Sequence, residues 1–360
     1  MELYIPTRVV IGQGSIREHY RSFAEFGKKA LTVTGRQSAV KSGALQDVKD
    51  ALFACGISWV VFNEVENNPT IETCYRGGQV AKEHGADFII AIGGGSPMDA
   101  AKAIAAYATN DIELMDLYKP LPNLPLPFVS VPLTAGTGSE VTPYSVLTVH
   151  EIKNKLTFTH PANFSKIAFL DPDYLKTMTR ETLLDTIADA LSHAVESLLS
   201  RRSTVASAVY AEAALRHLGQ CIPDVVAGNP DYERLLLAST LAGMAISHTG
   251  TIVVHSMGYM LTYYKDVPHG RANALLLPGY IRLCQEQVPD RLQTVLDAFG
   301  AENVEDFCNT IKQLTAVQCN LTPEEAKDFA AKAIVAKNVV QNPWSLTEAE
   351  EKSVFDGLVQ

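Results

Sequence analysis

Short β-branched runs alternate with stretches of helical apolar spacing through the first half of the chain, and that rhythm predicts strands joined by helices. Candidate strands fall at 31–34 (Leu-Thr-Val-Thr), 58–62, 87–92 and 128–131. Several end in Gly, Ser or Thr at the carboxyl edge, where open α/β sheets hold their ligands. The Pro-rich stretch from Pro120 to Pro127 reads as a surface loop. After Asp171-Pro172-Asp173 the strand rhythm stops. Ala- and Leu-rich helical spacing replaces it, interrupted at Pro223, at Gly228-Asn229-Pro230 and at Pro289. The expected architecture is an α/β N-terminal domain with a Rossmann-like parallel sheet over residues 1–175, followed by an all-α domain over residues 176–360.

Length and composition agree with two packed cores: the chain has 360 residues, 47% of them hydrophobic. A formal charge of −10, with no long Lys/Arg run, argues against nucleic acid or an anionic membrane as the main partner. A small ligand is the expectation. No apolar run approaches the length of a membrane span, and the opening Met1-Glu2-Leu3-Tyr4-Ile5-Pro6 lacks the regions of a signal peptide, so a cytoplasmic location is expected. The six cysteines form no Cys-x-x-Cys pair and suggest neither a thiolate metal site nor a disulfide framework.

Two segments on the α/β side carry ligand-binding chemistry. The apolar run 87–92 is followed by Gly93-Gly94-Gly95-Ser96-Pro97 and then a helix containing Asp99. Glycines let backbone amides approach an anion, Pro97 suits a first helical turn, and the helix start presents free N–H groups, so Gly94, Gly95 and Ser96 are expected to cradle a pyrophosphate. Asp99 reads equally as a cofactor contact or as a carboxylate complementing the helix dipole. The second segment, Pro132-Leu133-Thr134-Ala135-Gly136-Thr137-Gly138-Ser139-Glu140, is by itself an ordinary helix start with Ser139 as cap.

On the helical side, Asp189 and His193 stand four residues apart in a run of good helix formers, so they leave one face of one helix. His255 follows the apolar run 251–254, and His269 follows Pro268 in a predicted loop, 266–271. A lone histidine is usually a packed or hydrogen-bonded residue. One carboxylate and three imidazoles together suit a single borderline divalent ion such as Fe²⁺ or Zn²⁺, with Ni²⁺, Co²⁺ and Mn²⁺ also open.

These segments, with His255-x-x-x-Tyr259, Pro268-His269-Gly270 and the Gly-Gly-Gly-Ser-Pro run, closely resemble the iron-containing (group III) alcohol dehydrogenase family from about residue 5 to residue 340. The resemblance implies that Asp189, His193, His255 and His269 are the metal ligands. It implies that both Gly-rich segments, including Thr134 and Thr137, bind NAD(P), and that Asn68 and Lys155 also contact it. The N-terminal domain would then bind the dinucleotide and the C-terminal domain the metal. The implied activity is hydride transfer between NAD(P)(H) and a small alcohol or aldehyde held in the cleft between the domains, in a homo-oligomer, a dimer or larger. Where NAD-using relatives often carry Asp, this chain has Gly35, followed by Arg36 and Ser38. Without that carboxylate, and with a guanidinium and a hydroxyl to take a 2′-phosphate, NADP(H) is expected over NAD(H).

Several relatives carry a second histidine at the position of Tyr259, the candidate catalytic residue. A phenol does not relay protons near pH 7 as an imidazole does, so a changed pocket is expected, with packing of Tyr259 against the cofactor ring as the alternative. His248 reads as a supporting residue rather than a fifth ligand. Two enzyme alternatives on a similar plan are glycerol-dehydrogenase-like and dehydroquinate-synthase-like metalloenzymes. The apolar segment 251–263 has no Lys or Arg for a phosphorylated substrate, which disfavours the second. The remaining alternative is a non-catalytic nucleotide-sensing protein.

Overall fold

The computed structural model describes residues 3–152, 154–315 and 319–359. The chain divides into two compact units: Ile5–Thr134 with Ser139–Met178, and Met1–Tyr4 with Ala135–Gly138 and Thr179–Gln360.

The first unit is built on β1 (Arg8–Ile11), β2 (Lys29–Gly35), β3 (Ser58–Val65), β4 (Phe88–Gly93), β5 (Phe128–Pro132) and β8 (Ile167–Leu170). They pair in parallel, in the order β1-β8-β5-β4-β2-β3. Strands β6 (Tyr144–Val149) and β7 (Asn154–Thr159) form a separate antiparallel hairpin. The helices are α1 (Ser15–His19), α2 (Ser38–Lys41), α3 (Ala44–Ala54), α4 (Ile71–His84) and α5 (Gly95–Thr109).

Alternation along the strands feeds two cores. Leu31, Val33, Ile89 and Ala91 pack with Ile71, Cys74 and Ile104 of α4 and α5, whereas Ala30, Phe88, Ile90 and Ile92 pack with Leu45, Val48 and Leu52 of α3. Covered on both faces, β4 is buried at every position, which is why it reads as a continuous apolar run. The chain runs outward from β2 to β3, then returns on the other side of β2 with β4. That reversal is the switch point where open α/β sheets receive ligands, and the Gly35 and Gly93 turns leave from the carboxyl ends of those two strands.

The four predicted strands lie on β2, β3, β4 and β5, each reaching further at its carboxyl end than the apolar run. Strands β1 and β8 and the β6–β7 hairpin escaped the sequence reading. β1 and β8 are four residues each, too short for alternation to distinguish them from loop, and their pairing with each other is what defines them.

The second unit contains α6 (Arg180–Leu199), α7 (Val205–Ala227), α8 (Tyr232–Thr249), α9 (Val253–Lys265), α10 (His269–Gln287), α11 (Pro289–Phe299), α12 (Val304–Gln313), α13 (Pro323–Ala333) and α14 (Glu348–Asp356). Pro223, expected as a break, lies inside α7, which continues to the left-handed Gly228. Near the end of a helix the loss of one backbone bond is tolerated when packing holds the turn, and the neighbouring Ile222 and Val225 are fully buried. Among the described residues no single helix is long and apolar enough to cross a membrane; α8 and α9 qualify by length and composition only as a pair bent by 109°.

Candidate active site

Helix α6 is the backbone of the candidate metal centre. Its Thr179 cap accepts from Thr182 N, and Glu181 sits favourably in the first turn. Along its buried length, Asp185, Asp189, His193 and Glu196 recur at steps of three and four residues as one stripe of ionisable side chains. His255 comes from the first turn of α9. The loop expected to carry His269 is instead the start of α10, with Pro268 as its cap residue. Proline lacks the N–H that a helix start would leave unpaired, so the chain can begin a helix where the sequence reads as loop.

The Nε2 atoms of His193, His255 and His269 stand 3.8, 3.6 and 3.7 Å from Asp189 Oδ1. Asp189, His193 and His255 offer donor atoms within 4.8 Å of one another. These separations are too long for hydrogen bonds. The Asp189, His193 and His255 donors are close to the spacing of ligands around one ion, since ligands about 2.1 Å from a divalent metal stand about 3–3.5 Å apart, whereas His269 is outside that mutual group and approaches it at Asp189 Oδ1. A carboxylate with three imidazoles is also a donor set of the right charge and softness for Fe²⁺ or Zn²⁺.

Neighbouring groups fix each donor. His193 Nδ1 lies 3.3 Å from the carbonyl of Gly136. Asn273 Nδ2 donates to Asp189 Oδ1 at 3.1 Å. The fully buried Glu196 bonds His255 Nδ1 through one carboxylate oxygen and accepts from the Val254 and His255 amides, at 2.7 and 3.3 Å, through the other. His269 depends on how closely α10 approaches α6: a Cβ on Gly270 would collide with the carbonyl of Asp185. Arg271 clamps the same turn, bonding Asp185 at 2.8 and 3.0 Å and Glu181 at 2.7 Å. The Pro-His-Gly-Arg run thus has a physical reading, with a helix start, a donor, a close approach and a clamp in successive residues.

The cluster is electrostatically coupled. Burial alone would raise the Asp189 carboxyl, but the charges of His193, His269 and His255 hold it well below the usual carboxylate range. Burial lowers His193. Burial also opposes the charge on His255, yet Glu196 and Asp189 together raise it to about 9.

Tyr259 is half-buried, and its ring stacks on His269 with centroids 5.4 Å apart and planes 16° from parallel. His248 is occupied elsewhere, with Nδ1 2.8 Å from Met244 O and Nε2 accepting from Tyr4 N at 3.3 Å.

In the α/β unit, Gly94 is the extended cap residue of α5, and no side chain caps the amides that follow. A Cβ on Gly93 would collide with Pro97, and one on Gly94 would stand 3.0 Å from Thr134 Oγ1, so Thr134 lies against the turn that holds Gly95 and Ser96. Two further expected residues, distant in sequence, meet here. Asn68, left-handed at φ 56°, donates its amide to Ser96 Oγ at 3.2 Å, and Lys155 Nζ donates to Asn68 Oδ1 at 2.8 Å. Asp99 is turned inward instead: Oδ1 accepts from Ser139 Oγ at 2.8 Å and Oδ2 from Val146 N at 3.0 Å. Ser139 therefore ties α5 to the following loop and begins only a short 3₁₀ turn. Thr137 belongs to the short segment Ala135–Gly138 that packs with the helical unit.

At the end of β2, Arg36 lines an open pocket of about 630 Å³ with Asn63, Glu64, Glu66 and Arg76. Arg76 pairs with Glu64 at 3.5 Å, and Glu66 accepts from Thr70 and Thr73. The Arg36 side chain makes no hydrogen bond or ion pair among the described residues. Ser38 opens α2, two residues beyond it.

Sequence reasoning missed Glu196, the Arg271–Asp185 clamp and Asn273, and it noted Lys102 beside Asp99 without the bracing role seen here. The first two lie on, or bind, the α6 stripe, and extending the Asp189/His193 spacing by one step each way would have found Asp185 and Glu196. Lys102, fully buried, donates to Ser139 Oγ and O and to Tyr144 O at 2.7–2.8 Å, and burial lowers it to about 8. A lysine inside the apolar run 100–106 was its signal. Nothing in the sequence distinguishes Asn273 from a surface amide.

Residues 6–172 match the model of the iron-containing alcohol dehydrogenases, and residues 183–357 match the C-terminal region of the same family. A 1,3-propanediol dehydrogenase of Citrobacter freundii is 35% identical, the match covering 91% of each chain. A lactaldehyde reductase of Escherichia coli K12 is 32% identical over 86% of this chain and 78% of its own. The crystal structure of an iron-containing alcohol dehydrogenase from Thermotoga maritima superposes with a TM-score of 0.91 at 37% identity, covering 99% of each chain. Fold and sequence define an oxidoreductase that uses a metal and NAD(P). The chain belongs to the iron-containing alcohol dehydrogenase family.

Proposed function

We propose that this chain exchanges hydride between NADP(H) and a short-chain alcohol, diol or aldehyde, with Fe²⁺ as the metal and Zn²⁺ as a working substitute. The observation that carries the reading is the convergence of three imidazole Nε2 atoms on Asp189 Oδ1 at 3.6–3.8 Å. Asp189, His193, His255 and His269 would hold the ion. When bound, such an ion supplies Lewis acidity toward a substrate oxygen, and the nicotinamide supplies the two-electron acceptor or donor.

The chain's own residues do the positioning. The α5 amides after Gly94 are oriented toward a phosphate by the backbone, and Asn68, Ser96 and Lys155 form a linked polar set beside that turn. Arg36 and Ser38 beyond β2 supply charge and a hydroxyl for a 2′-phosphate, and Gly35 supplies no carboxylate to repel it. Asp99 and Lys102 act one layer back, holding the Ser139–Tyr144 loop to α5. The aromatic flank at Tyr259 favours a small, uncharged substrate carbon chain. Relatives named for lactaldehyde and 1,3-propanediol support a three-carbon class. A cytoplasmic homo-oligomer accompanies this reading, β1 being an edge strand of the sheet.

The test is a spectrophotometric screen of short alcohols, diols and aldehydes with both dinucleotides, using protein stripped of metal and reloaded with Fe²⁺ or Zn²⁺. Metal-dependent turnover, faster with NADP(H), is expected. Absence of turnover in every loaded form would sink the reading.

A further inference from the structure

We propose that Glu196 is the positioning residue of the metal centre: it sets the tautomer of His255 and thereby holds the ion. This rests on the four-ligand reading above. Glu196 is fully buried at the centre of the helical unit, where an unpaired carboxylate is costly, and its two oxygens are used differently. One oxygen accepts from the Val254 and His255 amides at the start of α9, a helix whose cap residue Ile252 offers no side-chain bond. The other meets His255 Nδ1.

In this arrangement the carboxylate is an acceptor in every bond, so the imidazole must donate from Nδ1. That leaves Nε2, 3.6 Å from Asp189 Oδ1, as the nitrogen whose lone pair an ion would take. One side chain thereby caps α9, fixes the ring plane and selects the ligating nitrogen. His193 is held by a backbone carbonyl at Gly136, which no substitution of a side chain removes, so of these two histidines His255 is the one whose orientation a side chain controls.

Glu196→Gln separates these roles. Its amide oxygen can keep the two α9 backbone bonds, which turns its NH₂ toward His255 Nδ1. The ring is then pushed to the opposite tautomer, with the proton on Nε2 where a metal cannot bind.

Metal-free wild type and Glu196→Gln are titrated with Zn²⁺ against a chromogenic chelator, and the Co²⁺-loaded forms are compared by their visible spectra. Zinc affinity is expected to fall about 10- to 100-fold, with an altered Co²⁺ spectrum and unchanged dinucleotide binding. Zinc binding by the wild type tests the centre itself, while the difference between the two proteins tests Glu196. Affinity within twofold of wild type, with the same Co²⁺ spectrum, overturns the proposal. Should the variant fail to fold, ¹⁵N-histidine NMR of zinc-loaded wild type decides: Nδ1–H with Nε2 on the metal is expected at His255, and the reverse tautomer overturns it.

Discussion

In the helical unit, candidate ligands are side chains with a second group behind them: Glu196 behind His255, Asn273 beside Asp189, and the Gly136 carbonyl behind His193. In the α/β unit the candidate contacts are turns at strand ends. There Gly94 contributes backbone, Arg36 lines an open pocket, and the charged pair Asp99–Lys102 is turned inward to brace the loop. A multivalent cation needs several donors at fixed positions, which only buried and cross-bonded side chains provide. A dinucleotide offers a long surface, and its phosphates can be met by helix-start amides that almost any sequence with the right glycines presents. The helical site should therefore fail abruptly under substitution, and the α/β site by degrees.

The largest effect is expected from His255→Ala. Losing the metal's Lewis acidity removes several kcal/mol of transition-state stabilisation, so turnover should drop by at least about 1000-fold. Metal analysis should show loss of the ion while dinucleotide binding, followed by fluorescence, survives. Full activity with metal retained would break the comparison.

Gly270→Ala changes no donor, yet the added methyl meets the Asp185 carbonyl. Overpacking of about 1–3 kcal/mol should push His269 off position, and a displacement of about 1 Å costs on the order of 100-fold in turnover. Steady-state kinetics with metal content checks this, and wild-type behaviour would show that α10 can move without penalty.

Glu351 of α14 is a buried carboxyl with no hydrogen-bond partner among the described residues, a contrast to the paired groups of α6. Burial, with nearby Glu348, raises it from 4.5 to about 8. The folded state therefore holds a proton that the unfolded chain releases above pH 4.5, so stability is fully present below that pH and is lost as pH rises toward 8. Glu351→Gln is free of this loss. Its advantage in denaturant unfolding should grow from near zero at pH 4.5 to about 2–4 kcal/mol above pH 8; a pH-independent difference contradicts it.

Gly35→Asp tests the α/β side. Its new Cβ would lie 3.6 Å from Val65 O and 3.9 Å from Ser38 Oγ, ordinary contacts, so the variant should fold normally. The ratio of kcat/KM for NADP over NAD should fall about tenfold or more, equivalent to about 1.4 kcal/mol. A wild type that already prefers NAD severalfold removes the basis for the prediction.

The smallest effect is expected from Tyr259→Phe, because the stacking on His269 uses the ring and not the hydroxyl. Turnover should stay within about tenfold, with a shifted substrate range. A loss of about 100-fold or more, the scale of general-acid catalysis, would make the phenol the proton donor.

The legible parts of this protein are those written in local periodicity. Strands β2 to β5 show as apolar runs because they are buried by helices on both faces, and Asp189 with His193 shows as a helical pair because four residues make about one turn. The glycine turn after β4 is legible because a Cβ on Gly93 would meet Pro97 and one on Gly94 would meet Thr134. The short strands β1 and β8 were not, because each is defined by its partner and not by its own four residues.

The sequence by itself determined which side chains are candidates for the chemistry and, for Asp189 and His193, which helix presents them, since that follows from spacing along one element. Only the tertiary structure decided what stands behind them. Glu196 became the acceptor for His255, Asp99 accepts from Ser139 across 40 residues, and His269 moved from a loop to a helix start clamped by Arg271. The reason is physical: a hydrogen bond across 59 or 86 residues depends on which faces two helices bring together, and no local pattern of polar and apolar positions records that pairing.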